Sequence, residues 1–246
     1  MSLFSQTQKV AWGLLIVFLL SAAAGCGWFG FGKKKPDRPP DVLAKEGIQK
    51  MKKGKYDDAV DAFEKIRDRY PYSEEAMLAQ LKVADAKYFN KKYDEALQDY
   101  KNFEKLHPTS PMMPYVIYQQ GLCYYRQRAT IDRDPSNTYK ALQEFRRLKQ
   151  RYPDYERMDR AEEYMARCLR ALADHEFYVG EFYFKTKRYQ SALERFSYIE
   201  QEYPDYYKIH QVRDYASKCE TFLANPVKAD PPVLLKPWYY LFDAQW

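Results

Sequence analysis

Three histidines, four cysteines and several adjacent acids are the residues of this chain that could do covalent or acid–base chemistry. A side-chain nucleophile needs a base within hydrogen-bond reach, and a metal needs ligands at short, ordered spacing. The sequence supplies neither pattern. His107 stands in a Leu-His-Pro turn, while His175 and His210 fall on predicted helices with no Ser or Cys partner at motif spacing. Cys26, Cys123, Cys168 and Cys219 are far apart, and no zinc site of ordinary spacing can be drawn from them. The last three cysteines lie among Leu, Tyr and Ala on helical faces, where a free thiol acts as a small apolar side chain. A disulfide between two of them also fits an oxidising compartment, with its connectivity open. The acid pairs Asp57-Asp58 and Glu74-Glu75 begin predicted helices, where negative charge favours the helix dipole. Lys33 follows Gly32 without the spaced glycines or the Ser/Thr of a phosphate-binding loop. The expectation is a protein with no catalytic site, no metal and no cofactor.

The composition agrees. The net charge of +6 comes from 40 basic and 34 acidic residues that alternate along the helices, so nucleic-acid binding has no concentrated footprint. Only 9 glycines in 246 residues argue against a Gly-rich nucleotide-binding α/β fold and against a turn-rich all-β fold. The 24 tyrosines exceed what a core needs and suggest contact surface.

Cys26 has chemistry of a different kind. Lys9 precedes an apolar run over residues 10–20, broken only by Gly13. That run is too short to span a bilayer and has the length of a signal-peptide core. Ala23-Ala24-Gly25-Cys26 then resembles a bacterial lipobox, although Ala23 stands where Leu is usual. The resemblance implies that residues 1–25 are a removed signal peptide and that the Cys26 thiol carries the lipid that holds the chain on a membrane. An ordinary cleavage near Ala24 is the competing reading. Residues 26–40 read as a tether, with aromatic Trp28 and Phe29 followed by a basic, proline-stiffened spacer. Gly27, rather than Asp, after the cysteine resembles an outer-membrane sorting signal.

The elements that must position everything else are repeats. Ala59, Phe63, Ile66 and Pro71 recur, at identical spacing, as Ala96, Tyr100, Phe103 and Pro108. They recur again as Ala141, Phe145, Leu148 and Pro153, and as Ala192, Phe196, Ile199 and Pro204. Gly47 and Gly180 each precede their Ala by 12 residues, and Gly121 by 20, which implies an 8-residue insertion around residues 128–137. Tyr56, Tyr93 and Tyr189 stand just upstream of three of the copies. Small residues mark where two helices touch, aromatic and branched ones fill the groove between repeats, and proline ends each pair. The pattern resembles the tetratricopeptide repeat. The predicted fold is all-α: a right-handed α-solenoid of such helix pairs with one long helix in the C-terminal half. Residues 41–110 would hold units one and two, and residues 111–225 units three to five. The long helix follows from 14 extra residues between Pro153 and Gly180 and from the absence of proline over residues 157–187. Residues 226–246 carry four prolines and form an aromatic tail.

The order of lipobox, tether, regular repeats, Asp132-Arg133-Asp134-Pro135 insertion and long helix reading Glu176-Phe177-Tyr178-Val179-Gly180 is similar to the BamD, or ComL, family. Its members are lipoproteins of the outer-membrane β-barrel assembly machinery. The resemblance implies a non-catalytic scaffold, facing the periplasm from the outer membrane through lipidated Cys26. Its implied partners are a periplasmic POTRA domain of the barrel subunit BamA, other assembly lipoproteins and unfolded outer-membrane β-barrel proteins. By matching position, Arg195, with Tyr183 beside it, becomes the candidate for docking BamA; a solvated Arg195 and a core Tyr183 are the competing readings. Phe63, Tyr70, Phe89 and Tyr93 become candidates for a peptide groove, with repeat-core packing competing for each. Another lipid-anchored repeat adaptor, such as a secretin pilotin or a cell-wall-synthesis coordinator, is the alternative; regular repeats without the insertion would favour it.

Overall fold

The computed structural model describes residues 38–225. Among them are nine helices and no strand. These are α1 (Pro40–Lys52), α2 (Tyr56–Arg69), α3 (Glu74–Phe89), α4 (Tyr93–Leu106), α5 (Met113–Arg126), α6 (Ser136–Arg151), α7 (Met158–Lys185), α8 (Tyr189–Glu202) and α9 (Ile209–Ala224). Each packs chiefly on the next in the chain, the contact pattern of a helical solenoid. No described helix is long and apolar enough to cross a membrane.

The repeat letters fix both kinds of turn. Tyr70, His107, Tyr152 and Tyr203 each precede a proline, and steric conflict with its ring keeps them out of the helical region. Each still donates its N–H to the carbonyl four residues back, on Ile66, Phe103, Leu148 and Ile199. This is why four residues always separate the third motif position from the proline. The turns inside units one, two and four close differently. Gly54, Lys91 and Lys187 have φ of 72°, 62° and 61°. The residues after them, Lys55, Lys92 and Arg188, donate to the carbonyls of Lys50, Lys87 and Tyr183, completing the left-handed helix stop of the Schellman type. Unit one uses glycine there, while Lys91 carries the left-handed strain of an L side chain. Lys91→Gly is therefore expected to raise stability by about 0.5–1 kcal/mol, the gain in the turn being offset in part by a freer unfolded chain. A urea melt with an unchanged slope and a later midpoint is the result to look for.

Packing inside each unit is set by a small residue facing a ring. A Cβ on Gly47 would lie 2.6 Å from the ring of Phe63; on Gly121 and Gly180 it would lie 2.7 Å from Phe145 and Phe196. In unit two the corresponding residue is Ala84, wholly buried, and the ring is Tyr100.

The core divides into three clusters. Leu43, Phe63, Ile66 and Val83 centre the first. The second runs from Leu81 through Tyr100, Ile117 and Phe145 to Ala161 and Cys168, and the third holds Phe177, Phe196, Ile199 and Val212. Helix α7, 28 residues long, is shared: its first half belongs to the second cluster and its second half to the third. Two successive first helices of the repeat are thus fused into one rod, and the second helix that should separate them is missing. The insertion between α5 and α6 is held on this rod, with His175 Nδ1 2.7 Å from the Ile131 carbonyl.

Candidate functional site

Two surfaces collect the residues with contact chemistry. The first lies at the turn end of units one and two, where the Schellman stops bring the ends of α1 and α3 beside the starts of α2 and α4. Tyr56 stacks on Phe89 at 6.1 Å, Phe89 meets Tyr88 edge-on at 5.7 Å, and Tyr88 meets Tyr93 at 5.4 Å. Phe89 remains 51% exposed. Asp57 accepts hydrogen bonds from Asn90 at 3.0 Å and Lys92 at 2.9 Å, tying the two turns together. Arg126 Nε donates to the Tyr88 hydroxyl at 3.3 Å, and burial raises that phenol above its ordinary value, keeping it neutral.

Of the four predicted groove residues, the structure joins Phe89 and Tyr93 in this ladder. Phe63 does not line a surface at all: at 2% exposure it fills the space opposite Gly47, so its place as a groove residue is corrected to repeat core. Tyr70 caps the far end of α2, about 21 Å along the helix from Tyr56, and packs half-buried on the first core cluster. Tyr56 was missed as a ladder member. Its neighbour Phe89 is 33 positions away, and nothing local in the sequence ties the two rings together.

The second surface lies where the fused helix meets α8. Arg195, 45% exposed at its side chain, donates from Nη1 to Glu176 Oε2 at 2.8 Å. Glu176 is mostly covered, so it orients the guanidinium while one edge of that group faces solvent. Tyr183 lies seven residues beyond Glu176, two turns along the same face of α7, half-buried on the third cluster and 5.8 Å from the Phe182 ring. Glu176 also edges a depression of about 440 Å³ lined by Tyr139, Leu172, Tyr198 and Tyr203. Its chemistry is a charge pair beside amphipathic rings, which suits protein contact.

Buried polar groups elsewhere serve architecture. Asp85, 2% exposed, accepts from the hydroxyls of Tyr100 and Tyr115 at 2.7 Å each and from Lys82 at 2.7 Å, joining α3, α4 and α5. Burial and the nearby carboxylate push both phenols well up, so they stay neutral donors. Asp174 accepts from Tyr206 at 2.6 Å and Tyr207 at 2.9 Å in the same way. Cys123, Cys168 and Cys219 are free and buried, and burial pushes their thiols up to about 12, 12 and 11, far from thiolate reactivity. His107 pairs with Gln80 at 2.9 Å. Among the described residues no cluster of His, Cys, Asp and Glu could hold a metal. Cys26 lies outside the described residues.

The fold defines a helical-repeat protein of the tetratricopeptide type. Comparison with known proteins narrows this. The profile of the YfiO family, described as outer membrane lipoprotein, matches residues 36–221, and the chain belongs to that family. It is similar to the outer membrane protein assembly factor BamD of Caulobacter vibrioides, 31% identical over 189 residues, covering 74% of this chain and 61% of that protein. The BamD of Neisseria gonorrhoeae is 30% identical over 196 residues, covering 74% and 73%. That of Vibrio cholerae is 28% identical over 180 residues, covering 69% and 75%. The chain thus spans 61% of the length of the Caulobacter relative.

Proposed function

We propose that this chain is a non-catalytic scaffold of the outer-membrane β-barrel assembly machinery, anchored through Cys26 and facing the periplasm. Its C-terminal half docks a POTRA domain of BamA, and its first two units receive unfolded outer-membrane proteins. The observation that carries the reading is the Arg195–Glu176 pair on the fused helix. A guanidinium held at one edge by a covered carboxylate presents its other donors to a partner, and a partner carboxylate would complete the set. Losing one side of such a contact at a partly desolvated interface costs about 2–5 kcal/mol. Arg195→Glu should therefore sharply reduce recovery of BamA when the lipidated chain is purified from membranes, with the helical circular dichroism retained. Normal recovery by a folded variant contradicts the docking role.

The ring ladder of units one and two, with Phe89 exposed and Tyr56, Tyr88 and Tyr93 partly buried, supplies the receiving surface. An extended segment with an apolar terminal ring fits a ladder of Tyr56, Phe89, Tyr88 and Tyr93 flanked by polar Asn90. Affinity should be micromolar or weaker, because an unfolded segment is ordered on binding. A synthetic peptide ending in Phe is expected to bind the mature chain and to lose binding when that Phe becomes Ser. Phe89→Ala should weaken it about tenfold, close to 1.4 kcal/mol. Chemical-shift changes confined to α7, α8 and α9 would place the receiving surface elsewhere.

A further inference from the structure

The register of the repeats exposes a vacancy on the fused helix. Counting thirteen residues from each unit-starting proline, Pro71, Pro108, Pro153 and Pro204, lands on Ala84, Gly121, Ala166 and Ser217. This is the position that faces the second helix of its own unit. Ala84 and Gly121, like Gly47 and Gly180, are buried under that helix. Ala166 and Ser217 are exposed, and theirs are the two units without a second helix among the described residues. At Ser217 the solenoid simply runs out of described helices. At Ala166 the space is walled on one side by the turn between α8 and α9 and open on the other. A cavity of about 350 Å³ remains, lined by Leu169, Arg170, Ala173, Tyr203, Tyr206 and Tyr207.

The walls say what kind of chain fits. Tyrosine faces with a proline between them, Tyr203-Pro204 and Tyr206-Tyr207, make the ring-lined trough that a polyproline-type segment recognises. Arg170 stands at the trough, 5.5 Å from the Tyr207 ring, with Glu202 and Asp205 also on its lining.

We propose that the vacancy is filled by residues 230–237 of this same chain, Asp-Pro-Pro-Val-Leu-Leu-Lys-Pro. Reach, composition and charge support it. The trough adjoins the start of α9, where Ile209 donates to the Tyr206 carbonyl, and the described residues stop at Asn225, just past its other end. Helix α9 has 16 residues and is about 24 Å long. From Asn225, a chain extended at about 3.1 Å per residue covers roughly 19 Å by Pro231 and roughly 37 Å by Pro237. The proline-rich stretch is therefore long enough to reach the trough by running back along α9. Three prolines fix its backbone, Val233, Leu234 and Leu235 match the apolar walls, Asp230 matches Arg170, and Lys236 matches Glu202 and Asp205. Tyr203 also lines the depression beside Glu176, so the docked segment would border the Arg195 surface. The assignment does not depend on the proposed function, because it uses no partner.

The test places the photo-crosslinker p-benzoylphenylalanine at position 235 of the mature lipidated chain in detergent, mixed with nitrogen-15-labelled chain lacking the crosslinker. Crosslinked peptides are read by mass spectrometry. The expected product joins the tail to residues 203–207 or 166–173 of its own unlabelled chain. Ala166→Trp, which fills the vacancy at an exposed position, should abolish it, as should Tyr207→Ser, with helical content unchanged in both. Crosslinks to labelled peptides would mean the trough is filled by a second copy, and crosslinks to units one and two would mean the tail lies elsewhere. Either result overturns the proposal, as do the absence of any crosslink and its persistence in both variants.

Discussion

Asp85→Ala is expected to cost about 3 kcal/mol of stability, among the largest losses available to one substitution in this chain. The carboxylate is the shared acceptor for Tyr100, Tyr115 and Lys82. Lys82 is one-third exposed and can turn to water, and Tyr115 keeps Gln119 as a partner. Tyr100 cannot turn to water: it is wholly buried, and Asp85 holds its hydroxyl. The cost is therefore mostly that of an orphaned buried hydroxyl on top of the lost link between units two and three. Units one, three and four carry Phe where Tyr100 stands. In a Tyr100→Phe background the loss from Asp85→Ala should accordingly be smaller by about 1–2 kcal/mol, and urea unfolding of the four proteins in the cycle measures that coupling.

Gly121→Val should be comparably damaging, at about 3 kcal/mol, for a steric reason. Even a Cβ would stand 2.7 Å from the Phe145 ring, and that ring cannot swing away. It is stacked on Tyr164 at 5.5 Å and tilted against Tyr118 at 5.9 Å. The matching experiment in unit two runs the other way. Ala84 already carries a Cβ in the same register, so Ala84→Gly should lose only the helix-propensity difference of about 1 kcal/mol. Equal effects at the two positions in urea melts would mean that the glycine is not there to admit the ring.

These two cases also show what could be seen in the sequence. Glycine, alanine, ring and proline stand at fixed spacing because each does a local job: close approach, groove filling, helix stop. The helix pairs, the insertion and the long helix were therefore legible. Ala84 was overlooked because alanine in that place does not stand out as glycine does. The absence of a second helix after Ala166 became visible only when its exposure could be compared with that of Gly121. Long-range polar pairs left no local trace. Asp85 meets Tyr115 across 30 positions, and Arg195 meets Glu176 across 19. One signal was available for Asp85, a lone acid inside the apolar stretch Val83-Ala84-Asp85-Ala86. Phe63 was assigned to a groove by ring type, yet its repeat position commits it to the core. For Phe89, no repeat position competes, and it is exposed.

In the proposed docking role, Arg195 serves the partner and is only lent to Glu176. Binding of purified BamA POTRA domain to the mature chain, to Arg195→Glu and to the charge swap Arg195→Glu with Glu176→Arg decides it. The swap restores the internal ion pair but inverts the charge offered outward. Binding is expected to be lost in the single variant and to stay lost in the swap, with the swap as stable as the parent to within about 1 kcal/mol. Recovery of binding in the swap would show that the pair serves only the fold, and undiminished binding in the single variant would remove Arg195 from the interface.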